Sequence, residues 1–150
     1  MAGLSLVELI DAFHKQEISA EDYLVGLDRQ IHNASRKLAE LDKQQIATAD
    51  QALWQEELLP GLQAAYEGLI GAAEEAKLYA QNRKDEILHG VGILIVGVDQ
   101  IMEFVAIRSG LASAPTQALL NQALDPQSDG LALANRPVKG SAESEVAFLD

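Results

Sequence analysis

The stretch Gly90-Val91-Gly92-Ile93-Leu94-Ile95-Val96-Gly97-Val98 decides the fold class, because its β-branched residues give it strand character. The next residues, Asp99-Gln100-Ile101-Met102-Glu103-Phe104-Val105, keep a helical spacing instead. Across the two segments, Ile87, Val91, Leu94, Val98, Ile101 and Val105 recur in alternating steps of four and three, which puts them on one helical face. The reading is therefore one long helix, stopped by Ser109-Gly110. Asp99, Gln100 and Glu103 interrupt the apolar run, so no membrane span is expected, since a carboxylate in hydrocarbon is costly.

Moving upstream, the polar run Gln81 to Glu86 separates this seam from another made by Leu62, Tyr66, Leu69, Ala73, Ala76 and Ala80. Continuing the Leu62 to Ala80 seam downstream would place Arg83 and Gly90 on the apolar face, so the run is either a break or a stutter in one helix. Beside the seam lies a row of small residues, Gly61, Ala65, Gly68, Ala72 and Ala76. Each helical glycine costs about 1 kcal/mol against alanine, so glycines on a single face point to close approach by a neighbouring helix. Glu67, Glu74 and Glu75 interrupt the stretch and set aside a membrane glycine motif. Pro60-Gly61 predicts a kink or hairpin corner near Leu59, and the polar segment Asp42 to Asp50 predicts a boundary with Thr48 or Asp50 as cap.

Two helix starts are signalled near the N-terminus by capping boxes with hydrophobic staples, Leu4-Ser5-Leu6-Val7-Glu8-Leu9 and Ile18-Ser19-Ala20-Glu21-Asp22-Tyr23. They predict a short helix over Leu6 to Gln16 and a second beginning at Ala20. In the second, Leu24, Leu27, Ile31, Ala34, Leu38 and Leu41 form a seam, with Arg29, Arg36, Lys37, Glu40 and Lys43 outside it. The seam suits either an ordinary bundle helix or an intermolecular coiled coil.

The expected fold is all-α: an antiparallel helical bundle or long helical hairpin with coiled-coil-like packing, a short N-terminal helix and a partly ordered C-terminal tail. Residues 1–110 read as the bundle domain. Residues 111–150 read as an Ala/Ser/Pro-containing tail with a short helix over Thr116 to Leu124 and a docking peptide at its end, where Val146, Phe148 and Leu149 would contact a partner.

The chain has 150 residues, 11 basic against 23 acidic ones, a net charge of -12 and no cysteine. Catalytic cysteine, disulfides and thiolate metal sites are thereby excluded. The acidic field repels phosphate backbones and anionic lipid, so no nucleic-acid partner is expected. Met1 to Ile10 has no basic leader ahead of a long apolar core, which predicts a cytoplasmic protein.

Histidines offer the nearest thing to chemistry. His14 follows Asp11, and His89 follows Glu86, at a spacing that resembles the ligand pair of carboxylate-bridged di-iron bundles. Such a site also needs a glutamate from each of two further helices, so a metal pair at Glu86 and His89 is the lesser alternative. His32 follows Asp28 as a surface helix pair, and Trp54 is expected to anchor a helix end. No serine nucleophile elbow is found, and Gly90-Val91-Gly92 leads into apolar residues without the lysine of a phosphate loop. The sequence thus predicts a non-enzymatic interaction or assembly protein, a scaffold or adaptor, without a cofactor. It would act as a homo-oligomer or on a partner helix, through an interface of Leu94, Val98, Ile101 and Val105.

Overall fold

Arg83 and Lys84 settle how the two apolar seams are joined. Arg83 takes a left-handed conformation, with φ 50° and ψ 37°, and Lys84 is extended, so a helix ends and a new one starts across two residues. The polar run is a turn. The computed structural model describes residues 5–125, and every regular element among them is helical. In order these are α1 (Leu6–His14), α2 (Ala20–Leu41), a 3-10 turn (Thr48–Asp50), α3 (Gln51–Leu53), a π turn (Trp54–Leu58), α4 (Leu59–Asn82), α5 (Asp85–Arg108), a second 3-10 turn (Ser109–Leu111) and α6 (Ala114–Leu124). The all-α bundle expected from the sequence is the fold observed.

The first capping box forms as read: Ser5 Oγ accepts the Glu8 N–H at 3.2 Å and Glu8 Oε1 accepts the Ser5 N–H at 2.8 Å. At the start of α2 only half of the expected box forms: Ser19 Oγ accepts the Asp22 N–H at 3.1 Å, without the return bond from the Asp22 side chain. α1 stops at His14, short of Gln16, because Gln16 turns left-handed with φ 63° and the Glu17 N–H closes back on the Ala12 carbonyl.

No corner forms at Pro60. The π turn just before it sends the Leu59 N–H to the Trp54 carbonyl five residues back, and this wider turn takes up the missing proline amide while the helix runs on. The chain reverses earlier, between α2 and the Thr48–Asp50 turn.

α4 lies between α2 and α5. Tyr23 Oη donates to the Ala76 carbonyl at 2.7 Å near one end of the α2 and α4 pair, and Leu41 meets Trp54, Leu58 and Leu62 at the other. Around Tyr23 the core stacks rings: Phe13 lies 4.2 Å from it, and Tyr79 meets Phe13 edge-on at 5.8 Å.

The second half of the core contains α6. Leu119, Leu120 and Ala123 are buried against Trp54, Tyr66 and Val105, and Tyr66 Oη donates to the Ala123 carbonyl at 2.7 Å. The helical body therefore runs through residue 124, past the boundary expected at 110. Docking α6 also buries two polar residues. Lys37, assigned by its spacing to the outer face, is 4% exposed and its Nζ donates to the Asp125 carbonyl at 2.6 Å. Asp50 caps no helix of its own. Its buried carboxylate accepts the Ser113 N–H, the Ser113 hydroxyl and the Thr116 hydroxyl, pinning the start of α6.

Candidate interaction face on α5

The small-residue row of α4 does what its composition suggests. A Cβ added to Gly68 would lie 2.6 Å from Val98 Cγ2, and one added to Gly61 would lie 2.7 Å from Val105 Cγ2. The valine partner moves back seven residues as the glycine moves forward seven, so α4 and α5 run antiparallel in close contact.

That contact corrects the expected interface. Val98 and Val105 are 3% and 0% exposed, covered by α4 of the same chain, and neither is available to a partner. Ile101 is half-buried beside them, and Leu94 alone of the four is exposed. Within α5 the buried residues are Val91, Val98 and Val105, one every two turns. A helix that is apolar on nearly every side thus has one side covered.

The open side carries Ile93 at 61%, Val96 at 56%, Phe104 at 47% and Ile107 at 69% exposure, continued by Leu111 at 65%. Their spacing places them along a single stripe. The heptad seam points away from these residues, and sequence reasoning that rests on it misses them. The available signal is that residues 87–111 are apolar on more than one face, a pattern that marks a helix meant for burial.

Beside the stripe, α4 and α5 frame a shallow trough of about 650 Å³, with Gly61, Ala64, Gly97 and Ile101 in its floor and Glu56 and Phe104 on its edges. Arg108, at one end, places its guanidinium on both oxygens of Glu57, with Nη2 to Oε2 at 2.8 Å. The hydrogen bonds from Arg108 hold the Glu57 carboxyl below the usual carboxylate range. A separate apolar hollow of about 230 Å³ lies between α1, α2, α5 and α6, against Leu6, Ala34, Ile95, Met102 and Leu124.

The expected histidine pairs are otherwise engaged or lie at solvent. Asp11 pairs with Lys15 at 2.9 Å, while His14 Nδ1 lies 2.8 Å from Tyr79 Oη. Asp28 takes the Lys77 ammonium at 2.9 Å, 49 residues away in sequence, instead of the imidazole of His32. Glu86 and His89 are both exposed on α5, and no three His, Asp or Glu side chains able to hold a metal ion come together among the described residues. Trp54 is 3% exposed, packed in the core at the π turn. Val146, Phe148 and Leu149 lie outside the described residues.

By length and composition alone, the span Asp85–Leu111 would suffice to cross a membrane, although it holds Asp99 and Glu103 and packs on α4. Comparison of the chain with protein-family models, with curated proteins and with solved structures finds no match.

Proposed function

We propose that this chain is a non-enzymatic interaction or assembly protein, a scaffold or adaptor, whose working surface is the open side of α5. One observation carries the reading: the most apolar of the three long helices is also the least covered of them, with Ile93, Val96, Phe104, Ile107 and Leu111 in a row at solvent. An apolar row of this length on a soluble domain marks a surface that another macromolecule covers. The antiparallel contact with α4 supports it from behind, because the valines under the row are fixed against glycine backbone and hold α5 as a rigid rail. The mechanism is helix packing: apolar side chains of α5 leave water when a partner's helix lies along them, and no bond is made or broken.

The experiment is site-directed photocrosslinking in the cells that make the protein. A benzophenone side chain at Ile93, Phe104 or Ile107 is expected to trap one discrete protein, and one at Arg36 on α2 is expected not to. Equal capture from all four positions, or no protein adduct from α5, would contradict the reading.

A further inference from the structure

We infer that the occupant of the α5 face is an amphipathic helix from a different protein, one whose apolar stripe is bordered by lysine or arginine. The inference rests on the interaction reading above and adds the chemistry of the partner. It comes from the charges that border the row.

On one side of the row, α5 exposes Asp99 and Glu103. On the other, across the trough, α4 and the π turn expose Glu56, Glu67 and Glu74; the last two follow Pro60 on its own helical face at seven-residue spacing. The cations close to this rim are engaged within the chain, Arg108 with Glu57 and Lys77 with Asp28. The groove is therefore apolar along its floor and acidic along both edges.

Charge then selects among occupants. A second copy would bring the same acidic edges against themselves, on molecules that each have a formal charge of -12. An anionic bilayer meets the same repulsion. The chain's own terminal hexapeptide, Glu145-Val146-Ala147-Phe148-Leu149-Asp150, is acidic at both ends. A helix with a basic border satisfies both edges at once. At 1.5 Å per residue the row from Ile93 to Leu111 is about 27 Å long, the length of a helix of about 18 residues. Gly97 leaves room in the floor for a large apolar side chain, since a Cβ placed there would meet nothing within 4 Å.

The test titrates the full chain with three synthetic peptides of about 18 residues: an amphipathic leucine and lysine helix, its leucine and glutamate counterpart, and a scramble of the first. The leucine and lysine helix is expected to bind at least about 10-fold tighter than either of the others, and to weaken about 10-fold between about 0.05 M and about 0.5 M salt. Phe104→Asp, checked for an unchanged helical circular dichroism spectrum, should weaken it by about 10-fold or more. The double substitution Glu56→Lys with Glu103→Lys, which leaves Asp99, Glu67 and Glu74 in place, should reduce the preference for the lysine peptide over the glutamate peptide by about 10-fold.

Equal binding of helix and scramble, or a preference that the double substitution leaves unchanged, would overturn the inference. Light scattering on the same samples separates the remaining occupants. A dimer dispersed by Phe104→Asp would give the face to a second copy, overturning this inference and leaving the interaction reading in place. Binding to neutral phosphatidylcholine vesicles that Phe104→Asp abolishes would overturn both.

Discussion

Asp50 shows how much one buried carboxylate organises. It holds donors from Ser113 and Thr116, 63 and 66 residues further along the chain, and these hydrogen bonds keep its pKa below the ordinary carboxylate value. Asp50→Ala should cost about 2 kcal/mol in urea unfolding at neutral pH, the combined loss of a helix cap and of buried hydrogen bonds to a charge. Because the folded-state pKa is depressed, the contribution is complete above the usual carboxylate range, near about 4, and disappears as pH falls through the folded value. The gap between wild type and Asp50→Ala should accordingly narrow between neutral pH and acid. Tyr23 behaves in the opposite sense. Burial first, and then nearby Tyr79, push its phenol up to about 12. Its stabilising contribution is present below the ordinary tyrosine value of about 10 and is lost as pH rises through the folded value. Phenolate absorbance from Tyr23, and from Tyr66 whose phenol burial also raises, should appear together with loss of helical signal in alkali. None of this is legible in the sequence. Asp50 reads there as the cap of the helix beside it, because sequence shows the neighbour and hides a partner brought in by α6.

At the scale of elements, the sequence is most informative where a helix presents a simple pattern. The Ser5 capping box and the small-residue row of α4 both appear in the structure, since each depends on residues within a few turns of one another. Pro60 marks the place of an irregular turn but not its kind, because a proline preceded by a π turn and one at a hairpin corner look alike in sequence. α6 is legible as a short helix but not as part of the body, its packing partners being far away in the chain. Two glycines test the α4 and α5 contact. Gly68→Ala places a methyl against Val98, whose branched side chain has little rotamer freedom in a helix, and should destabilise by about 1 to 3 kcal/mol despite the gain in helix propensity. Val98→Ala in the same chain should restore part of that loss, giving a coupling measurable in a double-mutant cycle. Gly97→Ala, with open space around it, should instead stabilise by up to about 1 kcal/mol. Urea midpoints of the four variants read all of these.

For the whole molecule, the all-α bundle can be read from periodicity, whereas the side of α5 that stays open cannot. A helix apolar on several faces gives no sign, in a single sequence, of which face its own chain will cover. The glycines of α4 decide it, drawing Val98 and Val105 inward and turning Ile93, Phe104 and Ile107 out. If the open side is the working surface, it contributes little to this chain's own stability. Phe104→Asp with Ile107→Asp should then shift unfolding by no more than about 1 kcal/mol, about 0.5 kcal/mol for each surface substitution. The most direct test uses the absence of cysteine from the chain. Single cysteines at positions 93, 104 and 107, and in comparison at 98 and 105, are to be modified with a thiol reagent in the native full-length protein. The account predicts that the first three react within about 10-fold of an unfolded peptide and the buried pair at least about 100-fold more slowly, as local opening requires. Protection of positions 93, 104 and 107 matching that of 98 and 105 in the isolated chain would mean the face is already covered, and would contradict it.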